Sequence, residues 1–188
     1  MVIPFAPSAE WYASYLRAVA SGLPADDAAV RACTAAGVVG KAFSRTLITG
    51  PQGPVRLTVP VDGGAGVLKR MGGGDGMLLP SPLLSDHGKW RREHLGAWNA
   101  AYGRTPYFPH LFPELESVYN SSEGESLAGF SLRLHRVAMR WLGSPFIDDE
   151  NRVRLRGVMM EYETKVNSSV SIFDALFRLG RNTLFALL

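Results

Sequence analysis

RTLITGPQGPVRLTVPV, residues 45–61, is the stretch on which the fold class turns. Thr46 to Ile48 and Val55 to Val61 read as two β-strands, and Gly50, Pro51, Gln52 and Gly53 supply the turn between them. Val55, Leu57, Val59 and Val61 share one face, because side chains alternate with period two along a strand. The segments on either side carry helical spacing instead. One hairpin among helices predicts an α+β fold: a small mixed sheet that includes this hairpin, packed with several helices.

Toward the N-terminus, Val2 to Phe5 reads as a short strand, and Pro4 and Pro7 hold the chain extended. Ser8 is placed to cap a helix running to about Ala20, with Trp11, Tyr12, Tyr15, Leu16 and Val19 on one face. Gly22 and Pro24 end it, and composition favours a second helix from Asp26 to Ala36. On the other side of the hairpin, residues 62–76 are rich in glycine and read as a surface loop. Glycine also exposes backbone N–H groups that can cradle a phosphate, but the G-x-x-x-x-G-K-[ST] pattern is missing.

Further helices are expected from about Gly88 to Tyr102, capped by Ser85 or Asp86, from Pro113 to Asn120, and from Ser126 to Leu142. Leu127, Phe130, Leu134, Val137, Ala138, Trp141 and Leu142 form the apolar stripe of the last, and Gly143 and Pro145 stop it. After a turn at 149–151, Val153 and Leu155 alternate with Arg152, Arg154 and Arg156, as in a half-exposed strand. Ser171 and Asp174 make a capping-box-like start for a helix from Ile172 to Leu179; Gly180 stops it, and Asn182 can cap a last short helix. At 188 residues the chain has the usual size of one domain, so 1–188 is read as a single unit.

Composition narrows the function classes. The chain is 46% hydrophobic and 20% charged, which is ordinary for a globular protein. The net charge is +3 and the isoelectric point is about 9.2, yet no run of basic residues exceeds a pair such as Arg91 and Arg92. A dedicated nucleic-acid binder carries a denser basic patch, so no nucleic-acid partner is expected. The Arg152 to Arg156 stripe reads first as the solvated side of an edge strand. Cys33 is the only cysteine, which excludes a disulfide or a cysteine-based zinc site within one chain and fits a reducing compartment. It reads as a buried, inert thiol. The opening residues have no secretory-signal pattern, and no apolar run is long enough to span a membrane. A cytoplasmic location is expected.

His94 is the first candidate for chemistry. Trp90, His94 and Trp98 are spaced by four and line one helical face. An imidazole between two indoles loses water, stays neutral and can act as a general base. The alternative is a core histidine satisfied by a backbone carbonyl. Arg45 and Lys41, at the start of the hairpin, can hold a phosphate or carboxylate, or can simply be solvated. His87 and His94 are seven apart, a poor spacing for a metal, and His110 and His135 have no convincing partners, so no metal site is expected. Ser44, Ser85 and Ser168 lie in no nucleophile-elbow pattern.

WRREHLGAWNAAYGRTPYF, residues 90–108, resembles the WbqC-like protein family of bacteria, whose pattern there is a Trp, a His four residues on, an Ala-Tyr and a Pro-Tyr-Phe turn. Three further stretches agree in order: PFAPSAEWY at 4–12; Lys41, Arg45, Gly50 and Gly53 with LTVPV at 57–61; and SIFD at 171–174 with Leu176, Phe177 and Gly180. The chain departs from the family before the hairpin, where members carry a KQ(S/T)YRNR-like run and this chain has KAFSR at 41–45. Residues 35–40 replace the family's acidic and polar residues, and the stretch around Tyr162 is altered.

The resemblance implies a role near surface polysaccharides, since members occur in O-antigen and related gene clusters, and transfer of glycine onto an amino sugar is one proposal for the family. On that expectation the protein acylates an amino sugar or sugar nucleotide, with no cofactor, and His94 is the general base. Arg45 and Lys41 bind a phosphate or carboxylate. Trp90, Trp98, Tyr102 and Tyr107 shape the pocket, and Glu10 and Tyr12 complete it. A non-catalytic module that holds a sugar nucleotide or a partner enzyme is the alternative expectation.

Overall fold

The computed structural model describes residues 3–69, 81–142 and 170–178. Its order is α1 (Ala9–Ala20), α2 (Ala25–Ala35), a 3-10 turn (Gly40–Ser44), β1 (Arg45–Gly50), β2 (Gly53–Thr58), α3 (Gly64–Leu68), α4 (Trp90–Tyr102), α5 (Phe108–Asn120) and α6 (Leu127–Trp141). A further helical segment, α7, occupies 172–178. The fold is α+β, as the hairpin predicts, and among the described residues the sheet is the antiparallel pair β1 and β2.

Arg45 pairs with Thr58, Leu47 with Arg56 and Thr49 with Pro54, so these six share the outer face. Thr46, Ile48 and Leu57 turn inward and are buried. Gly53 adopts φ 120, a backbone conformation open to glycine alone. The second strand stops at Thr58, three residues short of the expected Val61. Pro60 has no N–H to donate to a ladder. The Val59 N–H instead donates to the Ser44 carbonyl at 2.8 Å, and Val61 bridges Leu84. Val55, next to the turn, is exposed, so only Leu57, Val59 and Val61 of the alternating row are buried.

The expected strand at residues 2–5 is absent over 3–5, where an irregular strap lies instead. Two prolines remove donors, and Ala6 takes φ 40, which breaks an extended run. The strap is tied down piece by piece. The Phe5 N–H donates to the Phe43 carbonyl at 2.9 Å, and the Thr46 hydroxyl donates to the Ala6 carbonyl at 2.7 Å. The Ile172 N–H donates to the Pro7 carbonyl at 3.0 Å, joining the strap to α7.

Ser8 caps α1 as its position predicts, and Ser126, read as the start of its helix, is the cap of α6; each side chain accepts from a first-turn N–H. Three boundaries differ. Part of the glycine-rich stretch forms the short helix α3, anchored by buried Leu68. Neither Ser85 nor Asp86 caps α4; Lys89 sits at the cap, and Asp86 pairs with Arg91 at 2.6 Å. Helix α5 begins at Phe108, five residues before Pro113. Pro109 in its first turn gives up an N–H that has no intrahelical partner anyway. Phe108, Leu111, Leu115 and Val118 are buried along one face, and that burial outweighs the hydrogen bond lost at Pro113.

One hydrophobic cluster takes in buried residues from the strap, the hairpin, α1 to α6 and α7. α1 packs on α2, α4 on β1 and α5, and α5 on α6. Among the described residues no helix is long and apolar enough to cross a membrane. The expected turn and strand at 149–156, the stops at Gly143 and Gly180, and the cap at Asn182 lie outside the described residues.

Candidate functional site

Four residues one turn apart on α4, Trp90, His94, Trp98 and Tyr102, all face the core. Fourfold spacing stacks them along one side of the helix. The His94 ring is 5% exposed. Phe5 of the strap stacks on it at 5.7 Å between centroids, and Trp90 meets it edge-on at 5.3 Å. Its Nδ1 lies 3.3 Å from the Tyr119 hydroxyl, and the Trp98 indole N–H donates to that same oxygen at 3.2 Å. The indole occupies a lone pair of the Tyr119 oxygen, so the hydroxyl proton is free to point at Nδ1.

His94 in this relay is a neutral acceptor. Burial lowers its pKa to about 4, and a hydrogen bond with the Thr58 backbone works against that fall. Burial also pushes the Tyr119 hydroxyl well above the usual tyrosine value, while the Trp98 N–H pulls the other way.

Tyr102 continues the row into a polar clamp. Its hydroxyl donates to Asp174 Oδ1 at 2.8 Å and accepts from the Thr49 N–H at 3.0 Å. Arg178 Nε donates to the same Asp174 oxygen at 3.3 Å, and its guanidinium lies 5.4 Å from the Tyr102 ring centre. Burial, and then the Asp174 carboxylate, raise the Tyr102 pKa. Asp174 therefore does not close a reciprocal capping box. The Ser171 hydroxyl accepts from the Phe173 N–H, and the Ser171 N–H donates to Leu47 on β1 at 2.8 Å.

A second buried histidine changes one expectation. His135 has a partner: its Nδ1 lies 3.0 Å from the Tyr12 hydroxyl, and the two rings stack at 5.5 Å. Trp11 and Tyr15 meet it edge-on. Burial, then the Arg136 charge, lower its pKa to about 4. Tyr12 thus belongs to this nest, and among the described residues no ring contact joins it to His94. Nothing in the spacing of the sequence links positions 12 and 135; only the packing of α1 on α6 does.

The remaining candidates lie at the surface. Arg45 is exposed on the outer face of β1 opposite Thr58, whose backbone reaches His94. Lys41 is half-buried in the 3-10 turn, and Glu10 is exposed in the first turn of α1. Tyr107 is half-buried, its N–H 3.4 Å from the Phe177 carbonyl. The structure therefore brings Trp90, His94, Trp98 and Tyr102 into one row, sets Arg45 one strand away, and puts Tyr12 in a separate nest. Tyr119, Asp174, Phe5 and His135 hold these groups, and none of them has a site role in the sequence reading. A spacing of four from Leu111 through Leu115 to Tyr119 is the signal that points to Tyr119. Cys33 is buried, takes the Trp11 indole N–H at 3.3 Å, and has its thiol pKa raised by burial. Among the described residues no group of three His, Cys, Asp or Glu is placed to hold a metal ion.

The sequence profile of the WbqC-like protein family matches residues 40–146, from the 3-10 turn past the end of α6. The chain belongs to that family. No curated protein and no solved structure matches the chain.

Proposed function

We propose that this member of the WbqC-like family acts in bacterial surface-polysaccharide assembly, transferring glycine or another acyl group to the amine of an amino sugar. The observation that carries the reading is the state of His94. It is an uncharged imidazole in an aromatic row, beside a strand that starts with Arg45. The amine nitrogen attacks the carbonyl of an activated acyl donor, a C–N bond forms, and the bond to the leaving group breaks. His94 takes the proton that the nitrogen sheds and passes it to the leaving group. A base with a pKa near 4 does this after attack has begun, when the nitrogen has become acidic. The Tyr119 hydroxyl occupies Nδ1 in the resting protein, so substrate must displace it. Arg45 and Lys41 bind a phosphate or carboxylate of the substrate. Trp90, Trp98, Tyr102 and Tyr107 form the apolar walls, while Tyr12 lies in the separate nest with His135. The reading takes 1–188 as one cytoplasmic domain that needs no cofactor.

One observation favours a second reading. His94 is 5% exposed and its Nδ1 is taken, which also suits a core residue in a non-catalytic module that holds a sugar nucleotide or partner enzyme. Transfer of labelled glycine to amino sugars separates the two. On the enzymatic reading, His94→Ala lowers turnover by about 100-fold or more while circular dichroism keeps its helical signal. A fully active His94→Ala protein rules out the catalytic role. Tight amino-sugar binding without turnover in the wild type favours the module.

A further inference from the structure

The groove between α5 and α6 has a volume of about 470 Å³, in the range of small-ligand sites. Its floor is apolar, formed by Val118 and Val137, both buried. Its α6 wall carries Arg133, Arg136 and Arg140, spaced by three and four, so the three guanidinium groups share one helix face. Its α5 wall offers a carboxylate at Glu114 and a hydroxyl at Ser117.

The three cations do different things. Arg133 is fully engaged. It donates to the Val118 and Ser121 carbonyls and to Glu125, each at 3.0 Å, and so ties the end of α5 to α6. Arg140 reaches across the groove to Glu114 at 3.0 Å, but that pair is 65% and 35% exposed. Exposed ion pairs are weakened by water and salt, so a ligand with more negative charge than one carboxylate can displace Glu114. Arg136 is exposed, and none of the ion pairs among the described residues includes it. Among the described residues the groove thus holds one guanidinium outside any ion pair and one loosely paired guanidinium, a helical turn apart, above an apolar floor.

We propose that this groove binds a nucleoside diphosphate, with Arg136 and Arg140 on the two phosphates, the ribose hydroxyls toward Glu114 and Ser117, and the base against Val118 and Val137. Guanidinium forks match phosphate oxygens in pairs, and a diphosphate carries enough charge to outcompete Glu114. The apolar floor is what separates a nucleotide from a bare anion. The proposal rests on the function proposed above only in taking the amino sugar as nucleotide-linked.

Isothermal titration of the full chain with uridine diphosphate, inorganic pyrophosphate and uridine tests it. Uridine diphosphate is expected to bind, pyrophosphate to bind at least about tenfold more weakly, and affinity to fall as salt is raised. Arg136→Ser and Arg140→Gln are each expected to lose about tenfold or more with unchanged melting temperature, since both side chains are exposed. No binding, or equal binding by Arg136→Ser, overturns the site. Pyrophosphate binding as tightly as the nucleotide overturns nucleotide recognition. The titration needs no acyl donor and no turnover, so an inactive His94→Ala protein that still binds uridine diphosphate leaves this proposal standing.

Discussion

Protonating His94 means charging a ring that is 5% exposed among Phe5, Trp90 and Tyr119, and His135 is in the same position beside Tyr12. Unfolded histidine titrates near 6.5, and both rings titrate at about 4 in the fold. Between those values the unfolded chain holds protons that the folded chain does not. Stability is therefore full above about pH 6.5 and falls as the pH drops toward 4. At about 1.4 kcal/mol per pH unit, each ring destabilises the fold by about 3 kcal/mol at the bottom of that window. Urea unfolding at pH 7, 5.5 and 4 checks this. The midpoint is expected to fall steadily, and to fall less in a His94→Gln, His135→Gln double variant. A midpoint that does not move between pH 7 and 4 contradicts the neutral-ring description. Sequence spacing alone points to His94, because Trp90 and Trp98 are its helical neighbours. His135 has no such local signal, because its partner Tyr12 lies on a helix at the other end of the chain.

Helix α7 is held at the element scale by two groups of bonds. The Ser171 N–H reaches Leu47 on the outer edge of β1, and the Asp174 carboxylate takes the Tyr102 hydroxyl. Tyr102 accepts from Thr49 at the same time, so one phenol joins β1, α4 and α7. Tyr102→Phe keeps the ring and removes that joint, leaving the Thr49 N–H and the Asp174 carboxylate each short of a partner. The expected loss is about 2–3 kcal/mol, read by thermal or urea unfolding, with faster hydrogen exchange in 172–178. An unchanged stability means that water replaces the phenol at no cost and that packing and the backbone bonds of Ser171 and Ile172 are enough to hold α7. The elements most legible in the sequence are those with a cap or a regular stripe: α1 behind Ser8, α6 with its apolar stripe, and the period-two hairpin. The start of α5 was hidden because Pro109 and Pro113 read as breakers, although burial of Phe108 and Leu111 carries the helix through them. Residues 3–5 read as a strand in the sequence but form an irregular strap, because the strap's conformation depends on bonds to Phe43, Thr46 and Ile172, all remote in sequence.

Across the described residues, the strap, the hairpin and the helices share one hydrophobic cluster, and the candidate chemistry sits inside it. His94 and its neighbours hold the core together and are also the proposed walls of the site. Substrate binding must then open part of the core, and the ligand must repay that opening. Family membership and fold class were both readable from ordered motifs and from one hairpin. The relay through Tyr119 was not, because it forms only when α4 packs on α5. A ligand that binds only the folded state raises its stability by an amount set by concentration over Kd. The most direct test is therefore thermal unfolding of the wild type and His94→Ala against nucleotide-linked amino sugars, with and without glycine and ATP, and with uridine diphosphate as the baseline. The account predicts that one amino sugar raises the wild-type melting temperature beyond that baseline, and that the added rise is lost in His94→Ala. No rise beyond the baseline in the wild type, or an equal rise in both proteins, contradicts an amino-sugar site at His94.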